Sequence, residues 1–160
     1  MKKILTLIVL VLAVLVLSGC KKEGELVEVE GEDIFTQEGN YYIFFFKDDS
    51  EDTETLKPII ETYNKVINEE ADFSHKSKVY AVNLSKEVNK KIYRSYNKEF
   101  GQGTNGNFWV NNVTKWDELY INEVPSLISI KTNSQNVTYA EFETSGAEAI
   151  YNFLNAYLEH

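Results

Sequence analysis

The stretch "IFFFKDDSEDTETLKPII", Ile43 to Ile60, decides how the rest of the chain is read. It opens inside the run Tyr41 to Phe46, which is aromatic and β-branched throughout and is bounded by Gly39-Asn40 and Asp48-Asp49. A short apolar run with turn residues at both ends predicts a strand covered on both faces. After the acidic loop, Leu56, Ile59, Ile60, Tyr63, Val66 and Ile67 recur at steps of three and four, which predicts an amphipathic helix from about Glu54 to Asn68. Pro58 lies in its early turns, where a proline ends or kinks a helix unless the start is close.

Working outward, Lys78 to Leu84 reads as a second strand, and Ser85 to Tyr96 as a helix with Val88, Ile92 and Tyr96 on one face. Ser126 to Lys131 and Asn136 to Phe142 flank "TNSQ" as a hairpin. Ile150, Phe153, Leu154, Tyr157 and Leu158 form a last helical stripe, with Thr144 or Ser145 as its N-cap. Strand, helix, strand, helix, hairpin, helix implies an α/β domain on a mixed central sheet flanked by helices, its first two strands parallel. Gly101 to Asn107, "GQGTNGN", is a polar loop; no Lys-Ser or Lys-Thr pair follows its glycines, which argues against a phosphate cradle.

The N-terminus has a different character. Lys2 and Lys3 precede the apolar run Ile4 to Leu17, whose fourteen residues reach about 21 Å as a helix, short of a ~30 Å hydrocarbon core. Residues 1–19 therefore read as a secretion signal. The ending Leu17-Ser18-Gly19-Cys20 resembles a bacterial lipobox, which implies a diacylglycerol thioether on Cys20 and palmitate-type acylation. Two acyl chains on one residue suffice for stable membrane anchoring. Residues 20–33 then form the lipidated cysteine and a charged tether, "KKEGELVEVEGED" from Lys21 to Asp33, and the folded domain is expected at 34–160.

Cys20 is the only cysteine of the 160 residues, so acylation leaves a body with no disulfide, thiolate nucleophile or cysteine metal site. Removing Lys2 and Lys3 from the 16 Lys and Arg leaves 14 against 25 Asp and Glu, a formal charge of −11. So acidic a surface disfavours nucleic acid and anionic headgroups, and leaves the lipid to anchor the body. The Lys-, Asn-, Ile- and Tyr-rich composition suggests a Gram-positive cell envelope, with the protein on the outer face of the cytoplasmic membrane.

The element order, the aromatic strand and the early proline resemble the thioredoxin-like fold family, a three-layer sandwich. In that family a Cys-x-x-Cys opens the helix and a proline stands five residues after the second cysteine. Counting back from Pro58 puts Thr53 at the second cysteine and Ser50 at the first, with Glu51 and Asp52 between. A second family landmark, a cis-proline before the closing hairpin, falls on Val124-Pro125 in "INEVPSLISIK". The resemblance covers about Ile34 to Leu158, and 98–119 is longer than the usual connection.

Hydroxyls at positions 50 and 53 are neither ionised nor soft enough for thiol exchange, and the family's buried acid falls on Phe44. The resemblance therefore implies a redox-inactive member with no catalytic residue and no cofactor. The acids Asp48, Asp49, Glu51, Asp52 and Glu54 fail the EF-hand spacing and fit instead the favourable electrostatics of a helix start. A hydrolase centred on Ser50 would need His75 or His160, the only histidines. A membrane-associated accessory of a thiol-disulfide system is the other enzymatic reading. By resemblance, the main chain of Val124 beside Pro125 could pair with an extended extracytoplasmic peptide. Phe108, Trp109, Trp116 and Tyr120 would either wall such a groove or pack over the sheet.

Overall fold

A computed structural model describes residues 24–69, 76–94 and 109–158. The signal, Cys20, His75, residues 101–108 and His160 lie outside these described residues. Strand β1 is Tyr41–Phe46, and all six of its side chains are buried, as a continuous apolar run requires. Helix α1, Glu51–Glu69, starts three residues earlier than its stripe and continues unbroken through Pro58. Strands β2 (Lys78–Asn83), β3 (Ser126–Thr132) and β4 (Thr138–Ser145) and helix α2 (Ala147–Leu158) complete the regular elements.

The sheet order is β2-β1-β3-β4. β1 runs parallel to β2, and β3 is antiparallel to both β1 and β4. This is the thioredoxin-like α/β arrangement, and the Val124–Pro125 peptide before β3 is cis. The hairpin turn lies at 133–137, where Asn133 Oδ1 accepts the N–H groups of Gln135 (2.9 Å) and Val137 (3.0 Å). β4 consequently starts two residues later than the sequence pattern suggests.

The two sheet faces are covered differently. Leu56, Ile60, Tyr63 and Ile67 of α1 and Ile150 and Leu154 of α2 pack on one face against Tyr42, Phe44, Phe46 and Leu127. The other face, built on Tyr41, Ile43, Phe45, Ile128 and Ile130, is covered by Ile34, Ile92, Val110, Leu119 and Ile121. Among the described residues these come from loops and short 3-10 turns. In place of the helix expected over Ser85 to Tyr96, the described part up to Arg94 forms one such turn, Glu87–Ile92, followed by a bridge between Tyr93 and Ile121. Val88, assigned to the buried stripe, is 54% exposed, while Asn89 is fully buried. Its amide donates to the Asn83 carbonyl (2.9 Å) and accepts from Gly31 N–H (2.8 Å). An asparagine so engaged ties its segment to neighbouring backbone, and such bonds compete with a helical ladder.

The last helix is also capped differently from expectation. Ser145 is the final residue of β4 and its hydroxyl bonds to Glu123, while Gly146, with φ +87°, turns the chain into α2 and accepts the Ile150 N–H at 3.1 Å.

The tether assignment for 20–33 needs correction from Gly24 onward. Val29 N–H donates to the Ala81 carbonyl (2.8 Å) and Ala81 N–H to Val27 (2.9 Å), so this segment pairs in parallel with the outer edge of β2. Leu26 packs on the helical core and Val29 on the opposite one. Gly31 is buried where a Cβ would stand 2.6 Å from Ile92 Cδ1. The segment looked like a tether because edge pairing uses main-chain groups, which any charged side chain leaves free.

Candidate functional site

The C-terminal ends of β1 and β2 and the start of β3 meet at one end of the sheet. Phe45 pairs with Ser126, so the antiparallel register carries Val124-Pro125 alongside the exit of β1, where Lys47 and Asp48 lead to α1. The structure thus brings together the two landmarks read from the sequence, residues 50–53 and 124–125.

Thr53 lies in the first turn of α1 and is 1% exposed. Its hydroxyl donates to the Lys47 carbonyl at 3.0 Å, closing the loop on itself. The Ser50 carbonyl accepts the Glu54 N–H (3.1 Å), which starts the helix. Glu51 and Asp52 are exposed in the first turn, where carboxylates meet the unsatisfied N–H groups and the positive end of the helix dipole. Asp49 takes a left-handed backbone (φ 59°), a conformation that a short polar side chain tolerates.

A network that the sequence reading missed holds this loop. Asp48 N–H donates to Ser85 Oγ (2.9 Å), and the Asp48 carboxylate accepts the Asn83 amide at 3.0 and 3.1 Å. Asn83 Oδ1 accepts the Ser85 N–H (2.9 Å), and Asn89 bridges onward to the N-terminal segment. Lys47 places its ammonium 3.4 Å from the centre of the Tyr93 ring. The available signal was the apolar-strand ending "VNLS", in which Asn83 directly follows buried Val82.

On the other side, Pro125 is buried and its carbonyl accepts the Gly146 N–H at 2.9 Å. Val124 is half-buried and packs against the loop-covered core. Among the described residues its N–H and C=O have no backbone partner. Ser126 Oγ, just past Pro125, is buried and has no hydrogen-bond partner among the described residues.

Phe44, where the resemblance read from the sequence would put a buried acid, stacks on Phe46 at 5.7 Å inside the helical core. Among the described residues no group of three or more His, Cys, Asp or Glu could hold a metal ion. The aromatics in and just after the 98–119 stretch divide. Trp109 and Tyr120 meet edge-on at 5.6 Å beneath the Arg94 guanidinium, whereas Trp116 lies 3.7 Å under the Lys91 ammonium and lines a cleft with Glu30, Gly31 and Val88. Phe108 and His75 are outside the described residues, so neither the full wall nor a Ser50-His75 pair is on view.

No protein-family model matches this sequence, and no curated protein matches it. Solved structures do. The chain is similar to thioredoxin f2 in its complex with ferredoxin:thioredoxin reductase, at 14% identity over 86% of this chain and 94% of that one, TM-score 0.46. It is similar to the long form of thioredoxin f from spinach chloroplast, at 15% identity over 85% and 88% of the two chains, TM-score 0.45. The Trx4 domain of ERdj5 aligns at 12% identity over 84% and 96%, TM-score 0.44.

Proposed function

We propose that this protein is a lipid-anchored, noncatalytic binding or adaptor module on the outer face of a bacterial cytoplasmic membrane. One observation carries the noncatalytic part. The position expected to hold a thiol holds Thr53, whose hydroxyl is buried and committed to the Lys47 carbonyl, so it braces the loop and has no free lone proton donor to offer a substrate. With Cys20 the only cysteine, the body has no sulfur nucleophile with which to replace it.

The binding part is supported by Val124, half-buried next to Pro125 with main-chain groups that have no backbone partner among the described residues. An extended peptide recognised by backbone pairing needs such groups at an open place on the rim of the sheet. Anchoring is supported by Leu17-Ser18-Gly19-Cys20 at the end of the apolar run Ile4 to Leu17.

The test has two parts. A fatty-acid label fed to cells should mark the wild type and miss Cys20→Ala; equal labelling would remove the lipid anchor. A soluble form starting at Glu23 should leave a disulfide substrate unreduced, and a photo-crosslinker at Glu123, beside Val124, should capture an extracytoplasmic partner that one at Tyr151, on an exposed face of α2, does not. Disulfide reduction by the domain alone would overturn the noncatalytic reading.

A further inference from the structure

The segment read as a tether leaves little tether. Gly24 is buried against the C-terminal half of α1, with φ +85°, and a Cβ there would stand 2.6 Å from Lys65 Cβ and 2.8 Å from the Glu61 carbonyl. From this point the chain runs parallel to β2 through Val27 and Val29. Gly24 therefore lies toward the end of the sheet where β1 and β2 begin, and Gly31 toward the end where they finish. Only four peptide steps separate Cys20 from Gly24, a reach of about 14 Å fully extended.

The ends of the sheet differ in charge as well as in attachment. Where β1 and β2 finish stand Asp48, Asp49, Glu51, Asp52, Glu54 and Glu123, against Lys47 turned onto Tyr93, Lys57 over the Phe46 ring and Lys86 paired with Glu28 at 2.7 Å. Where they begin, Lys78 is exposed at the start of β2, Lys76 lies over the Tyr157 ring, and Lys65 pairs with Glu69 at 3.8 Å. Glu25, beside Gly24, and Glu38, just before β1, are further acids there, and in the sequence Glu70 and Asp72 stand between α1 and β2. The hairpin tip lies at this same end, since Thr132 N–H donates to Asn40 Oδ1 (3.1 Å), and no acid occurs between Lys131 and Glu141. The second end is the less acidic of the two, so anionic headgroups repel it less than the first.

We infer that, given the Cys20 anchor proposed above, residues 24–31 act as a strap that holds the hairpin tip and the Lys76–Lys78 end against the lipid headgroups and points the Val124-Pro125 loop away from them. A flexible tether of fourteen residues would have let the body tumble; a strap zipped to β2 does not. With α1 along the membrane normal, the acidic end stands off by the length of α1 from Lys65 back to Glu51, about 21 Å at 1.5 Å per residue.

The sequence supplies a convenient experiment, because acylated Cys20 leaves an introduced cysteine as the only thiol. The full-length lipoprotein carrying Gln135→Cys, at the hairpin tip, or Asp52→Cys, at the start of α1, is labelled with a fluorophore and reconstituted into anionic vesicles containing a headgroup-attached short-range quencher. Quenching several-fold stronger at position 135 than at 52 is expected, and a Gly-Ser linker inserted between Lys21 and Lys22 should erase the difference. Equal quenching at both positions, stronger quenching at 52, or a contrast that survives the linker would overturn the strap. Protein that carries no fatty-acid label and fails to float with vesicles would instead remove the anchor itself, and the inference with it.

Discussion

Asn64 is the residue whose placement the helical stripe hides most completely. It follows Ile60 by four positions, on the face of α1 turned to the sheet, and is 4% exposed. Its amide donates to the Val79 carbonyl at 2.8 Å while its oxygen accepts the Val79 N–H at 2.9 Å, so one side chain serves as the pairing partner of a strand. Asn64→Ala leaves both buried groups without a partner and should cost roughly 2–6 kcal/mol, the sum of two such losses. Thr53→Val keeps the shape and orphans one carbonyl, for a loss of about 1–3 kcal/mol. Urea titrations would rank the two, and a larger effect at Thr53 would mean that the loop, not the helix-to-strand tie, limits stability. Neither change removes main-chain groups of Val124, so partner capture in the folded variants should persist.

Among the elements, the N-terminal segment is the one most at odds with its composition. Starting the chain at Ile34 would strip Val27 and Val29 from Ala81, open Gly31 from Asn89 and leave β2 as a bare edge. An uncovered edge strand pairs with other chains, so this truncation should melt at a lower temperature than the form starting at Glu23 and sediment as dimers or larger species. Identical melting and a monomeric profile would show that the segment only rests on the surface. The contrast explains what was legible. β1, α1 and the hairpin could be read because their burial is written in side chains: six apolar residues in a row, a three-and-four stripe, an apolar run on either side of "TNSQ". The parallel bridge at Ala81 and the Asp48–Asn83–Ser85–Asn89 network could not, because both depend on polar groups far apart in the sequence meeting only after folding. The same cause turned the expected helix at Ser85 to Tyr96 into a 3-10 turn. The site was half legible: Pro58 and Pro125 located the two loops, while the commitment of the Thr53 hydroxyl to Lys47 had no sequence signal.

At the scale of the whole molecule, a tyrosine faces each side of the sheet from adjacent positions of β1. Tyr41 belongs to the loop-covered core and donates its hydroxyl to the Ile34 carbonyl at 2.7 Å; Tyr42 and Tyr63 belong to the helical core, where Tyr63 donates to Ser77 at 3.0 Å. Burial raises all three: Tyr41 is pushed up to about 12, and Tyr42 and Tyr63 move in the same direction, the Tyr157 hydroxyl adding to the effect at both. A folded-state value above the unfolded one means that the unfolded chain releases its proton first. Stability from these groups is therefore complete below pH 10 and declines as the pH climbs from there toward the folded values. Since β1 is shared by both cores, losing either one exposes the other, and the prediction is a single cooperative alkaline transition with no change in slope below pH 10. Tyr41→Phe removes one ionisable group and should make the decline between pH 10 and about 12 shallower, at the expense of the Ile34 bond at neutral pH. Urea melts at a series of pH values, followed by near-ultraviolet circular dichroism and by tryptophan fluorescence, test both points. Coincident curves are expected, since Trp109 and Trp116 lie on the loop-covered side while most of the buried tyrosine signal comes from the helical side. Separate midpoints would mean that the two faces unfold independently, and that β1 does not couple them.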